Sequence, residues 1–138
     1  STITLPQSID VAMTGRTDGA PIRAALLLAS DPVWEVGVVQ QLERNDVRIR
    51  LASGDVVFNA PVGPANAPCA DSIPLADALA IAAQRANGDA IAVVADDDVA
   101  CAFEIQVLSG TTLWEVKVAK DGRVLEHELS DEYGGGED

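Results

Sequence analysis

The sequence predicts an α+β protein of two small units, each a helix packed on an antiparallel β-sheet. Three observations predict it. Ala102 to Leu129 reads as three strands joined by two tight turns. A narrow apolar stripe at helical spacing runs upstream of it through Leu75, Ala78, Leu79, Ala82 and Ala83. Sliding the chain by 56 positions sets Val47-Arg48-Ile49 under Phe103-Glu104-Ile105 and Ser53-Gly54 under Ser109-Gly110, which suggests an internal repeat.

Residues 1–20 read as an extended lead-in, with Ile3, Leu5, Ile9 and Val11 scattered among polar residues. Thr17 or Asp18 is expected to cap a first helix with Pro21 in its opening turn, because Ile22, Ala25, Leu26 and Ala29 recur at helical spacing. Ser30-Asp31-Pro32 stops it, since the residue before proline avoids the α region. Val33 to Leu42 is a strand, Glu43-Arg44-Asn45-Asp46 a turn, and Val47 to Ala52 a second strand that alternates apolar and charged residues. Ser53-Gly54 turns into a third strand at Val56-Val57-Phe58. This first unit, 21–62, looks like a shortened copy without its last turn and strand.

A linker at 63–71, within a stretch rich in proline and alanine, leads to the second unit at 72–130. Asp71 or Ser72 is expected to cap the second helix, with Pro74 in the first turn. Asn87-Gly88 ends it with a left-handed C-terminal signal. Ile91 to Ala95 is a strand, and Asp96-Asp97-Asp98 forms the turn after it. Phe103, Ile105 and Val107 then alternate with Glu104 and Gln106, and Trp114, Val116 and Val118 with Glu115 and Lys117. Ser109-Gly110 and Asp121-Gly122 suit two-residue hairpin loops. With those loops Glu104 faces Glu115, Glu115 faces Glu128, and Lys117 faces Glu126. Phe103, Ile105, Trp114, Val116, Val118, Leu125 and Leu129 gather on the other face. Residues 131–138 read as a flexible acidic tail.

The chain of 138 residues carries a formal charge of −13, with a pI near 4.2. Residues 1–68 hold seven acids and five bases, whereas 69–138 hold fifteen acids and four bases. Such a surface argues against nucleic acid and anionic membrane as partners, which select basic patches, and admits cations or a basic protein. No apolar run is long enough for a transmembrane helix, so no membrane insertion is expected. No signal peptide is legible, and a chain starting at Ser1 is expected to be a mature or trimmed form. Cys69 and Cys101 lack redox or zinc spacing. They either stay apart as thiols or pair, closing a loop of roughly 30 residues. Pairing is favoured, and it implies an oxidising compartment.

The row Glu104–Glu115–Glu128 costs a few tenths to about 1 kcal/mol for each pair of like charges. It is either a solvated acidic face or a cradle for a hard cation, which takes several carboxylate oxygens. Asp96, Asp97 and Asp98 lie where they could add ligands, although the turn lacks the glycine and closing glutamate of an EF-hand. His127 is the single histidine, placed on the apolar face with no local nucleophile beside it. No residue set reads as catalytic.

The helix IPLADALAIAAQ, the strands FEIQV and LWEVKVA, and the closing KDGRVLEHEL resemble the PepSY domain across 72–129, with 21–59 as a degenerate first copy. The resemblance implies a non-enzymatic module of secreted, periplasmic or membrane-anchored proteins. Some members restrain proteases, and some acidic ones bind metal ions, including lanthanides. Calcium or a lanthanide is therefore the expected ion, held by Glu104, Glu115, Glu128 and Asp96 to Asp98. The alternative is a protein-interaction or protease-inhibitory module working through its acidic face or a strand edge. Arg48 and Arg50 in the first copy leave no symmetric site there.

Overall fold

A computed structural model describes residues 2–16 and 18–130 of the chain. The chain divides into two compact units, 1–69 and 70–138. In the first, α1 (Leu5–Met13) precedes β1 (Ala20–Leu27), β2 (Val33–Gln40), β3 (Glu43–Arg50) and β4 (Val56–Pro64). In the second, α2 (Leu75–Ala86) precedes β5 (Asp89–Ala95), β6 (Phe103–Ser109), β7 (Thr112–Val118) and β8 (Val124–Leu129). Within each unit the strands are neighbours in chain order and antiparallel. Each helix packs on strands of its own unit, as the sequence predicts.

The first helix lies earlier than expected. Residues 1–20 are not a plain lead-in, because α1 occupies 5–13. Its signal is Thr4-Leu5-Pro6-Gln7: the Thr4 hydroxyl accepts from the Gln7 backbone N–H, and the Gln7 side chain accepts from the Thr4 N–H at 2.8 Å. This reciprocal cap satisfies two orphan donors of the first turn. The segment read as a helix after Asp18 is instead strand β1. Its spacing of alanine and leucine fits either element, and the ladder to β2 decides the matter. Asp18 caps nothing; it accepts from the Gln40 amide at 2.7 Å, and Thr17 lies outside the described residues.

The turn expected at 43–46 is also displaced. It is Gln41-Leu42, with φ of 55° and 61°, and Glu43 to Asp46 are strand. β4 then runs on to Pro64, so the first unit has its full set of strands. The relation between the units is accordingly not the 56-position slide, which lays β3 on β6. Element order lays α1 on α2 about seventy positions on. Leu5, Ser8, Ile9 and Ala12 are buried in one helix, and Leu75, Ala78, Leu79 and Ala82 in the other. Successive strands of a meander share one alternation, so a slide by one strand matches nearly as well as the true one.

In the first unit Leu5 and Ile9 pack over Ala24, Trp34, Val36, Val38, Val47 and Ile49, all buried. Trp34 donates its indole N–H to the Ile3 carbonyl at 3.1 Å. In the second unit Leu75 and Leu79 pack over Val93, Ile105, Val107, Val116 and Val118. Leu125 and Leu129, expected in this core, are 37% and 66% exposed because β8 lies at the sheet edge. The cap of α2 is Pro74, with no side-chain hydrogen bond, rather than Asp71 or Ser72. Its C-terminus is as the sequence predicts: Asn87 is left-handed, and the Gly88 N–H bonds to the Ala83 carbonyl at 3.0 Å.

Both cysteines are disulfide-bonded, and they are the only two in the chain, so Cys69 pairs with Cys101. No described helix is long and apolar enough to cross a membrane. The acidic tail expected at 131–138 lies outside the described residues.

Candidate functional site

The hairpin between β6 and β7 sets the site. Its two turn residues are Gly110-Thr111, with Gly110 at φ 62°, and Ser109 pairs with Thr112. A glycine at the first of two loop positions is the requirement of a type II′ turn. The loop expected at Ser109-Gly110 is therefore one residue further along, and every cross-strand partner moves by two. Glu104 faces Lys117, not Glu115, and Glu115 faces Gln106. Side chains keep their face under a shift of two, so the greasy and acidic sides stay as expected. The hairpin from β7 to β8 has the expected pairing, with Glu115 opposite Glu128 and Lys117 opposite Glu126.

Two parallel rows result. One is Gln106–Glu115–Glu128, the other Glu104–Lys117–Glu126. Carboxylate oxygens of Glu115, Glu126 and Glu128 lie within 4.8 Å of one another. Glu115 is half-buried, while Glu126 and Glu128 are exposed. An ion bound at about 2.3–2.6 Å can span oxygens up to roughly 5 Å apart, so this donor set fits one hard cation. Glu126 joins the group because residues two apart on a strand share a face. Its i, i+2 relation to Glu128 is legible in the sequence, while its place opposite Lys117 makes it read as an ion-pair partner.

The other expected ligands are not brought to this group. Asp96 turns into the protein, its side chain 3% exposed. One of its oxygens accepts from the N–H groups of Val99 and Asp98 at 2.7 and 3.0 Å, and the other meets the Lys117 ammonium at 3.1 Å. Burial pushes the Asp96 carboxyl up, but the Val99 N–H, Lys117 and the Asp98 N–H together hold it below the ordinary range. Lys117 is raised, first by its hydrogen bond to Asp96 and against the cost of burial. It also lies 3.4 Å from Glu126. Asp97 and Asp98 are exposed in the turn. Glu104 stands beside Lys117 in the register and is no part of the carboxylate group.

His127 faces Val116 across the strands and sets its ring edge-on to Trp114, with centroids 4.8 Å apart. That contact gives it a packing role. In the first unit the positions matching Glu115, Glu126 and Glu128 by register hold Asp46, Phe58 and Ala60. Arg48, matching Lys117, pairs with Glu35 at 2.9 Å and covers the Phe58 ring. Among the described residues the carboxylate group exists in the second unit alone.

A family model described as PepSY, peptidase propeptide and YPEB domain, matches residues 72–129. A crystal structure of a putative lipoprotein from Clostridium difficile 630 is similar to the chain, with a TM-score of 0.53 and 18% identity over 94% of each chain. At that identity the likeness speaks for the fold. A search of the curated proteins found no match.

Proposed function

With residues 72–129 forming a PepSY domain, we propose that this chain is a non-enzymatic, extracytoplasmic protein that binds a hard multivalent cation, calcium or a lanthanide. The observation that carries the reading is the convergence of Glu115, Glu126 and Glu128 oxygens within 4.8 Å. Like charges so close repel, and a multivalent cation turns that repulsion into attraction. Hard ions select oxygen donors of this kind. The disulfide favours an oxidising compartment, and a periplasmic or secreted location fits it. The matching element order of the two units supports a tandem arrangement in which the first copy has lost its acidic group.

Titration with calcium and with terbium, followed by calorimetry and by terbium luminescence, tests the reading. Saturable binding of one ion is expected, weakened by Glu115→Gln and Glu128→Gln and unchanged by Glu104→Gln. Absence of saturation up to millimolar ion would end it.

A second reading draws on β4. Among the described residues this strand pairs with β3 alone, and it exposes Val56, Val57, Phe58 and Val62. An open edge of that kind can accept an extended peptide, as in a protease-restraining module. Metal-independent capture of one protein, lost when Val57 is replaced by proline, would favour it.

A further inference from the structure

The carboxylate row ends in a residue that the charge pattern does not reveal. Gln106 is 3% exposed, and its Oε1 is buried without a hydrogen-bond partner. A buried acceptor left unmet is costly, and native proteins rarely keep one without a reason. Gln106 lies directly across from Glu115, and Glu115 directly across from Glu128. Directly opposed residues on neighbouring strands put their side chains on one face, with Cβ atoms about 5 Å apart. The Gln106 side chain therefore leaves the sheet on the same face as the carboxylates. The nearby ammonium of Lys117 meets Asp96 at 3.1 Å and Glu126 at 3.4 Å and makes no hydrogen bond to the Gln106 oxygen.

We propose that the Gln106 side-chain carbonyl is a fourth oxygen ligand, completing a site for one hard cation with Glu115, Glu126 and Glu128. This rests on the cation reading given above and extends it to a neutral, buried donor. Hard cations accept amide carbonyl oxygens alongside carboxylates. The arrangement is graded: a buried neutral oxygen at the inner end, a half-buried carboxylate next, and two exposed carboxylates outermost. An ion arriving from solvent meets charge first and the fixed dipole last.

The test compares Gln106→Leu with Glu115→Gln, using calcium and terbium as probes. Gln106→Leu removes the unmet acceptor at nearly constant volume. Without ion it is expected to melt at the same or a higher temperature than the parent. Its affinity for terbium should nonetheless fall about tenfold, the size of one lost contact to a charged group. Gln106→Glu, which adds a charge, should bind more tightly than Gln106→Leu. If parent and Gln106→Leu bind alike while Glu115→Gln weakens, the carboxylate reading stands and the Gln106 assignment is overturned. If the parent binds neither ion, both fall. A Gln106→Leu chain that melts well below the parent without ion would also overturn the assignment, since the amide would then be serving the fold.

Discussion

Asp96 shows how one carboxylate of an acidic segment can be turned inward and put to structural use. Its charge is met by two backbone N–H groups and by Lys117, which also reaches Glu126. The Asp96 carboxyl is held below its ordinary 3.8, so its contribution to stability is present above that value and fades as pH falls through the folded one. Lys117 is raised above 10.5, so its contribution is present below that pH and fades as pH climbs through the folded value. Asp96→Asn should therefore lower stability at neutral pH and flatten the loss below about pH 4. Urea midpoints measured across the acid range check this. Leu42 offers a test of the opposite sign. A leucine at φ 61° suffers the left-handed penalty of about 1–2 kcal/mol, part of which glycine's greater unfolded freedom would cancel. The side chain is 60% exposed and contributes little packing. Leu42→Gly should stabilise by about 0.5–1 kcal/mol, read as a higher urea midpoint at unchanged slope.

At the scale of elements, helix-on-sheet contact is set by small residues. Ala78 and Ala82 are fully buried on the same face as Leu75 and Leu79, so little side-chain bulk separates α2 from the strands beneath it. Gly88 makes the sharpest approach. A Cβ there would collide with the Leu108 carbonyl oxygen and lie 2.8 Å from the carbonyl carbon and 2.9 Å from the Ser109 Cα. Backbone cannot swing aside as a long side chain can. Gly88→Ala should cost about 1–3 kcal/mol. Leu79→Ala, which empties a site 1% exposed, should cost about 2–5 kcal/mol. Thermal melts of both variants check these values. The end of α2 was legible because Asn87-Gly88 is a local code for a left-handed stop. The start of α1 was equally local in Thr4-Leu5-Pro6-Gln7, but a proline among scattered apolar residues masked it. β1 was not legible, because an alanine- and leucine-rich run fits both periods until its partner strand is known.

Across the whole molecule, sequence reading captured the class and the faces but not every partner. Alternation placed Ile105, Val116 and Val118 inward and Glu104, Glu115, Glu126 and Glu128 on the other side. Pairing across β6 and β7 depended on which two residues make one turn. Ser-Gly and Gly-Thr are both serviceable there, so Glu104 was set beside Glu115 in place of Gln106. A neutral amide carries no charge signature, and its burial emerges only once three strands are aligned. The charge asymmetry between halves is plain in composition, and among the described residues three of the acids of the second half come together in one group.

The Cys69–Cys101 bond spans all of α2, β5 and the exposed turn at Asp97 and Asp98. A protease that nicks this turn would therefore leave both fragments covalently joined. Limited digestion should yield a single species on a non-reducing gel and two after reduction. In a milieu rich in hydrolases, one cut would not release the helix-bearing piece.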